Sequence, residues 1–299
     1  MSFGPITIFD KSFLQSINPN ESVWLDMLYR SNITPLFFVE TLANLGKSTN
    51  LNPSKLVRDM AIKIPLMGSN RNMHHSSIAT ANMLGEYIEI RGVPIINPGK
   101  QIKVKGKSGL YVMHGPEDEA FNRWKDKQFL EVEQLFAKEW RKALTNIDLE
   151  KVYKNTQSIF AKYQKPKNLQ QVKELVEDYM GSPENKSILF NRALFHANPN
   201  HQSAIIRRWK LAREPFLFNF AVYANYIVGV DLFFEIALGA DLISRDRKTN
   251  KIDMAYLYYI PFCNIFVSGD NLHERLAPYL ITETQEFIKA RDLKDELGI

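Results

Sequence analysis

The sequence predicts an α/β protein whose central parallel sheet is assembled from the two ends of the chain. A short β-branched run, Ile6–Phe9, indicates a buried strand that ends at Asp10, and residues 264–268 indicate another that ends just before Asp270. Apolar segments with helical spacing follow the first strand and precede the second. Strands that alternate with helices pair in parallel, so we expect a three-layer domain with helices on both faces of the sheet.

The helices near the two ends are predicted from their caps and from apolar residues three and four positions apart. Thr34-Pro35 is a helix start, because a proline fits the first turn and the threonine before it can cap the helix. The expected helices cover residues 20–29, 34–46, 216–238, 253–260 and 278–297. The apolar face of the first of them consists of Val23, Trp24, Met27 and Leu28.

The middle of the chain departs from this alternation. Short strand-like pieces separated by glycine and proline occupy about 86–113 and predict a small sheet. Residues 116–213 carry aromatic and aliphatic side chains at helical spacing, which predicts a mostly helical region. We therefore expect residues 1–65 and 215–299 to form one domain, with residues 66–214 as an insertion in it.

The composition is that of a globular protein with a mild attraction for polyanions. Apolar residues make up 45% of the 299 residues, and the formal net charge is +5. No uninterrupted apolar stretch has the length of a membrane span, and the first residues lack a basic, then apolar leader, so we expect a cytoplasmic protein without a membrane partner. The single Cys263 excludes an internal disulfide.

Four acidic residues lie beside apolar residues, where a charge is costly unless something compensates it. They are Asp10, Glu40, Asp253 and Asp270. Asp10 and Asp270 follow strands, and sites in parallel sheets form beyond the carboxyl ends of the strands. Several converging carboxylates are typical of sites for hard divalent cations, so the sequence predicts bound Mg²⁺ or Mn²⁺ and chemistry on phosphates.

The order of these acids resembles the PIN-domain nuclease family, in which a strand ends in Asp, an early apolar helix carries Glu, a later Asp starts a helix, and a strand ends in Ser or Thr, one residue, then Asp or Asn. Ser268-Gly-Asp270 matches the last of these motifs. The resemblance implies a PIN-like sheet domain and an endonuclease, most often one acting on RNA, with one or two metal ions. It implies Asp10 and Asp270 as direct ligands, Glu40 and Asp253 as direct or water-mediated ones, and Ser268 as an orienting residue.

Two alternatives stay open. Phe9-Asp10-Lys-Ser12 and Ser268-Gly-Asp270-Asn weakly resemble the first and last motifs of haloacid-dehalogenase-type phosphohydrolases, although Ser12 stands where that chemistry needs a second Asp. The other is a non-catalytic nucleic-acid-binding module on a PIN-like scaffold, in which the acids serve the structure. Asp10 would then form a strand-end turn and Asp253 would cap a helix.

Cationic residues supply the candidate nucleic-acid surfaces. The best cluster has Arg207, Arg208, Lys210 and Arg213 with no acid before Glu214. A second patch consists of Lys100, Lys103, Lys105 and Lys107. The sequence leaves RNA or DNA, a homo-oligomer and a regulatory protein partner open.

Histidines give weaker signals. His74 and His75 are adjacent, which indicates a polar loop or a helix entry, with a lesser role in substrate binding. The remaining histidines show no zinc-like spacing, so we assign them no chemistry. They are His114, His196, His201 and His273.

Overall fold

The computed structural model describes residues 4–45, 52–63, 70–96, 99–112, 116–145, 148–244 and 250–298. Its strands are β1 (Ile6–Phe9), β2 (Arg30–Ile33), β3 (Asn70–Arg71), β4 (Gly99–Val104), β5 (Lys107–Val112), β6 (Ile265–Ser268) and β7 (Glu286–Lys289). Within the described residues, five of them form a parallel sheet in the order β3-β2-β1-β6-β7. β4 and β5 form a separate antiparallel hairpin.

Strands from the two ends of the chain are neighbours in this sheet. β1 lies between β2 and β6, with Ile8 opposite Phe266 and Phe9 opposite Val267. The Asp10 amide extends the pairing by one residue, because it donates to the Val267 carbonyl over 3.2 Å. The parallel sheet predicted from the two apolar runs is therefore present, and the residues that follow β1 and β6 leave the sheet at the same edge.

Helices connect and cover the strands. They are α1 (Lys11–Ser16), α2 (Pro19–Leu28), α3 (Pro35–Asn44), α4 (Pro53–Ala61), α5 (His75–Leu84), α6 (Pro116–Lys125), α7 (Glu131–Thr145), α8 (Leu149–Phe160), α9 (Leu169–Gly181), α10 (Lys186–His196), α11 (Gln202–Leu211), α12 (Leu217–Phe220), α13 (Val222–Gly239), α14 (Asn250–Leu257), α15 (Asn271–Leu280) and α16 (Ala290–Leu297). Short 3₁₀ turns occupy Pro183–Asn185, Pro199–His201 and Ile260–Phe262.

The two faces of the sheet belong to two different apolar clusters. Successive side chains of a strand point to opposite faces, so Ile8 and Phe266 join one cluster while Phe9 and Val267 join the other. The first cluster contains residues of α5 and of α8 to α15, and the second contains residues of α1 to α4, α6, α7 and α16. Helices therefore cover both faces, and the predicted insertion contributes to the same cores as the chain ends.

Helix α13 is long and apolar enough to span a membrane by length and composition, but 67% of it is buried inside the fold. It carries Asp231 and Glu235, and both are ion-paired. Its neighbours include α8, α9 and α10, which pack along it. These are the features of a core helix in a globular protein.

The structure differs from the predicted elements and boundaries at three places. Residues 86–96 form no strand, so the small sheet consists of β4 and β5 alone, up to Val112 where the description stops. The predicted helix 216–238 is broken at Ala221 into α12 and α13. The sheet includes β3, which lies beyond the predicted boundary at residue 65. The predicted end of one helix at Gly46 lies outside the described residues.

The largest correction concerns the predicted helix 278–297. The chain there ends α15, forms β7 beside β6, and then begins α16. Local signals for β7 are weak, since Glu286 and Lys289 flank only two apolar residues. Pairing with β6 and the contact of Phe287 with Phe266 decide the conformation. The Gln285 side chain contributes as well, because its Nε2 donates to the Cys263 carbonyl over 2.9 Å.

Candidate active site

The four acids of the predicted constellation line one cavity of about 220 Å³ at the carboxyl ends of β1 and β6. They reach it from different elements, because Glu40 lies on α3 and Asp253 lies on α14. The remaining lining residues are Lys11, Ser12, Gln15, Asn44, Arg141, Ile252 and Tyr256. The structure thus brings together residues that are 260 positions apart in the chain, since Asp10 and Asp270 share this cavity.

Asp10 is only 4% exposed, and both of its carboxylate oxygens accept hydrogen bonds. Oδ1 accepts from the Phe13 amide at 3.0 Å and from Ser12 Oγ at 2.7 Å, so Asp10 is also the N-cap of α1. Oδ2 accepts from Ser268 Oγ at 2.6 Å. Asp10 therefore has two roles, because it forms the turn expected at the end of the strand and also lines the cavity.

Asp270 and Glu40 are each held by a specific donor. Asp270 is the N-cap of α15, where its carboxylate accepts from the Leu272 amide at 2.7 Å. Glu40 Oε2 accepts from the Tyr256 hydroxyl at 2.9 Å. Burial raises the pKa of the Tyr256 phenol well above its usual value, and the charge of Glu40 adds to this, so the phenol stays a neutral donor. The orientation of both carboxylates is fixed by these bonds.

Asp253 is the fourth residue of α14 and is half-buried. The sequence allowed it to be a helix N-cap, and this alternative is wrong, because α14 begins at Asn250. Its position in the first turn still favours a negative charge, since unpaired backbone amides concentrate positive potential there. The Asp253 backbone carbonyl has a second function, as the acceptor for a buried histidine.

That histidine is His273 on α15, to which the sequence assigned no chemistry. It is 1% exposed, and its Nε2 lies 2.7 Å from the Asp253 carbonyl. Its Nδ1 lies 2.7 Å from Ser268 Oγ and 3.5 Å from Asp10 Oδ2. A histidine one turn into a helix that follows a strand-end Asp points back toward the sheet edge, and this spacing is the signal that could have identified it.

With Asp10 ionised, the hydrogen-bond pattern indicates that His273 is positively charged. The Asp253 carbonyl only accepts, so Nε2 carries a proton, and the Ser268 hydroxyl donates its one hydrogen to the ionised Asp10. Nδ1 must then also donate, which makes His273 an imidazolium. Burial lowers the pKa of His273, but Asp10 outweighs this and raises the pKa to about 9. Burial also raises the pKa of Asp10, and His273 and Ser268 bring it below the usual value.

Ser268 joins these groups, as an orienting residue should. Its Oγ donates to Asp10 and accepts from the Asp270 amide at 2.9 Å as well as from His273. One hydroxyl therefore connects the end of β6, the end of β1 and the start of α15. Small shifts in any of these elements would misalign the Asp10 carboxylate.

Two cations at the cavity were not predicted. Lys11 follows Asp10 directly and is 7% exposed, and Arg141 comes from α7, which packs against α3. Arg141 Nη1 donates to Asn44 Oδ1 at 2.5 Å. The sequence could not place Arg141, because its distance from the acids in the chain gives no indication of contact. Together with His273, these cations offset part of the charge of the four carboxylates.

The donor set fits Mg²⁺ or Mn²⁺ by its chemistry, since carboxylate oxygens are the preferred ligands of both. Asp10 and Asp270 would be the direct ligands that the family resemblance implies, with Glu40 and Asp253 as direct or water-mediated ones. Among the described residues, however, no three carboxylate, imidazole or thiol groups converge on one point. The fit therefore rests on the donor types and on their common cavity.

The predicted nucleic-acid cluster lies on and just after α11, in the helical layer that covers the Ile8 face of the sheet. Arg207, Lys210 and Arg213 are exposed, and their contact with nucleic acid stays a prediction. Arg208 has a structural role that was not predicted. Its Nη1 donates to the Met83 carbonyl at 2.9 Å, and its guanidinium lies 4.3 Å from the centre of the Phe220 ring.

The other predicted binding residues are only partly described. His74 is the N-cap of α5, so the helix-entry interpretation is confirmed, and His75 packs among the rings of His74, Tyr258 and Tyr259. Of the basic hairpin, Lys105 is exposed in the turn. The side chains of Lys100, Lys103 and Lys107 lie outside those that the structure describes.

Comparisons of this chain with protein families, with curated proteins and with solved structures found no match.

Proposed function

We propose that this protein is a Mg²⁺- or Mn²⁺-dependent nuclease on a PIN-like α/β fold, which hydrolyses phosphodiester bonds of nucleic acid, with RNA as the expected substrate. The observation that carries the proposal is the common cavity of Asp10, Glu40, Asp253 and Asp270. Its position beyond the adjacent parallel strands β1 and β6, and the order of the acids in the chain, support the same function.

The protein's own residues would prepare the site for this reaction. Asp10 and Asp270 would hold the cation, with Glu40 and Asp253 as further ligands, and a bound cation of this kind supplies a water of lowered pKa together with charge compensation. Ser268 and His273 keep Asp10 ionised and oriented. The Tyr256 hydroxyl orients Glu40. Such preorganisation lowers the cost of arranging the groups during the reaction.

Arg141 and Lys11 would act on the substrate rather than on the cation. Both line the cavity, and both are cations beside four carboxylates that would otherwise repel a phosphate. The planar guanidinium of Arg141 is suited to two parallel hydrogen bonds with phosphate oxygens. Asn44 holds the guanidinium at the cavity wall.

A haloacid-dehalogenase-type mechanism is less well supported. In that mechanism Asp10 would be the nucleophile, and a second acid two positions on would transfer the proton. Ser12 stands at that position, and its hydroxyl donates to Asp10 instead of replacing the missing acid. Glu40 and Asp253 would also have no role in that scheme.

The second candidate is a nucleic-acid-binding module whose carboxylates serve the fold. The capping bonds of Asp10 and Asp270 favour it, because both residues have a structural function independent of any metal. Glu40 separates the two candidates. It lies inside α3, where it has no capping function.

Cleavage assays with Glu40→Gln test the proposal. Glutamine keeps an acceptor for Tyr256 and removes the charge, so the fold should persist while cleavage of labelled RNA in Mg²⁺ or Mn²⁺ falls by at least about 100-fold, or about 2.7 kcal/mol in the barrier. Asp178→Asn, an exposed aspartate on α9, is the matched control and should keep full activity. Cleavage that persists in EDTA, or in Glu40→Gln, would overturn the metal mechanism.

A further inference from the structure

Two further depressions lie in series beside the acidic cavity, because each shares lining residues with the one before it. A depression of about 340 Å³ shares Lys11, Gln15 and Asn44 with the cavity. A third depression, of about 460 Å³, shares Asp59 and Lys63 with the second. We use "the groove" for the second and third depressions, which run from the mouth of the cavity to Asn18 at the start of α2.

The walls of the groove combine cations, amides and short apolar stretches. Lys11 and Gln15 come from α1, Asn44 comes from α3, and Leu56 and Met60 come from α4. Lys63 follows α4 and donates from Nζ to the Leu14 carbonyl at 3.3 Å, so its ammonium lies over the end of α1. The groove lining therefore supplies hydrogen-bonding groups together with apolar contacts.

We propose that the groove binds a single strand of nucleic acid that leaves the acidic cavity between α1 and α3 and passes along α4 to Lys63. This rests on the proposed function, because it assigns the path of the strand whose phosphate lies in the cavity. The occupant is single-stranded because a flexible strand can follow cations and amides that lie in series. The described lining of the two depressions includes no aromatic residue, so contacts with phosphates and sugars would carry the binding instead of base stacking.

The charges along the path decide where phosphates are held. Four carboxylates repel a polyanion, so the strand needs cations directly at the cavity mouth, where Lys11 and Arg141 lie. Lys63 is the cation further along. Asp59 and Glu21 also line the far part of the groove, but Glu21 lies 3.5 Å from the Lys294 ammonium. The strongest phosphate contacts are therefore at the cavity end.

The amides suit the neutral parts of the strand. Gln15 and Asn44 each present a donor and an acceptor, which can bind sugar hydroxyls and base edges. The groove therefore holds the strand without reading more than a short part of its sequence. By contrast, the α11 cations share no lining residue with the cavity or the groove.

Binding measurements without metal test the groove separately from catalysis. The probes are fluorescein-labelled oligo(U) and oligo(dT) of about 12 nucleotides, within the usual range of single-strand sites, and anisotropy is recorded in EDTA. Arg141→Gln and Lys63→Gln should each weaken binding about 5- to 10-fold, and each should reduce the salt dependence by about one counterion. Lys154→Gln, at an exposed lysine on α8, is the matched control, with less than a 2-fold change expected, and Lys210→Gln tests the alternative surface on α11.

The outcomes separate this proposal from the nuclease proposal. Weakened binding in both Arg141→Gln, at the cavity mouth, and Lys63→Gln, in the groove, without cleavage in any metal, supports the groove and contradicts the nuclease proposal. RNA cleavage together with wild-type binding affinity in both variants supports the nuclease proposal and contradicts the groove proposal. A loss of binding confined to Lys210→Gln also contradicts the groove proposal and indicates that α11 is the binding surface.

The choice of nucleic acid tests the occupant. Tighter binding of a duplex than of either single strand contradicts the groove proposal. Tighter binding of oligo(U) than of oligo(dT) supports it and indicates contact with the 2′-hydroxyl. Unchanged circular dichroism of each variant shows that the fold is intact.

Discussion

His273 Nδ1 lies 3.5 Å from Asp10 Oδ2, and both side chains are almost completely buried. The ion pair joins the end of β1 to α15, so it connects the N-terminal and C-terminal parts of the chain at the edge of the sheet. A buried charge that loses its partner is strongly destabilising. This pair therefore serves the fold and also determines the charge of the carboxylate that faces the cavity.

Replacing His273 tests the pair directly. We expect His273→Gln to lower the free energy of unfolding by about 3 kcal/mol, because it leaves Asp10 without its buried counter-charge. Denaturant unfolding measures the change, and His201→Gln, an exposed histidine, should stay within about 0.5 kcal/mol of wild type. A double-mutant cycle with Asp10→Asn should show coupling of at least about 1 kcal/mol. Additive losses would show that the two side chains do not interact.

Removing the Ser268 hydroxyl should affect several partners at once. Asp10 Oδ2 loses its donor, and the Asp270 amide loses its acceptor. We expect Ser268→Ala to cost about 1–3 kcal/mol of unfolding free energy, the range for buried groups left unsatisfied. Ser203→Ala on the exposed side of α11 is the control. A loss within the error of that control would mean that water replaces the hydroxyl and that Ser268 is not an orienting residue.

The environment of His75 predicts a loss of stability in mild acid. Burial lowers the pKa of His75 well below its usual value, with smaller contributions from the charges of His74 and His196, although Asp231 opposes them. The unfolded chain takes up a proton below about pH 6.5, whereas the folded chain does not. Stability contributed by neutral His75 is therefore present above about pH 6.5 and is lost as the pH falls toward the lower pKa of the folded state.

The slope of this loss is at most about 1.4 kcal/mol per pH unit for one group, and partial exposure of the ring reduces it. The groups that face the ring are His74, His196, Asp231, Lys251, Tyr258 and Tyr259. In urea unfolding between pH 7 and pH 5, His75→Phe should show a shallower loss than wild type. Parallel pH profiles for the two proteins would contradict the prediction.

Arg208 should behave differently from its neighbour Arg207. Arg208 donates to the Met83 carbonyl and lies over the Phe220 ring, so we expect Arg208→Gln to cost about 1–2 kcal/mol of unfolding free energy. Arg207→Gln removes an exposed cation and should change stability by less than about 0.5 kcal/mol. Thermal unfolding of the two variants makes the comparison. Equal stabilities would show that the Arg208 contacts contribute nothing to the fold.

Local sequence patterns were sufficient to predict the strands and the helix that carry or precede three of the acids. β1 and β6 are short β-branched and aromatic runs, and each is followed by the aspartate that leaves the sheet. The Pro35 start of α3 and the apolar surroundings of Glu40 are equally local. Strands of this type need burial on both faces, which only a covered parallel sheet provides. The α/β class and the common edge of Asp10 and Asp270 therefore follow from the sequence.

Other features depend on neighbours that the sequence does not name. α2 places Trp24 and Met27 in solvent, 54% and 62% exposed, and buries Ser22 and Leu25 instead, because the rest of the fold leaves that apolar face uncovered. β7 exists because β6 offers it a partner. In both cases contacts with residues far away in the chain decide the outcome, and the local sequence does not.

The sequence by itself determined which residues carry the charge, and the tertiary structure decided what surrounds them. A carboxylate beside apolar residues must be compensated, and this requirement is visible in the sequence. Whether a metal, a cation or a hydrogen bond provides the compensation depends on distances of a few ångströms between residues far apart in the chain. Only the packing of α15 on α14 brings His273 to Asp10 and Asp253, and only the packing of α7 on α3 brings Arg141 to the same cavity.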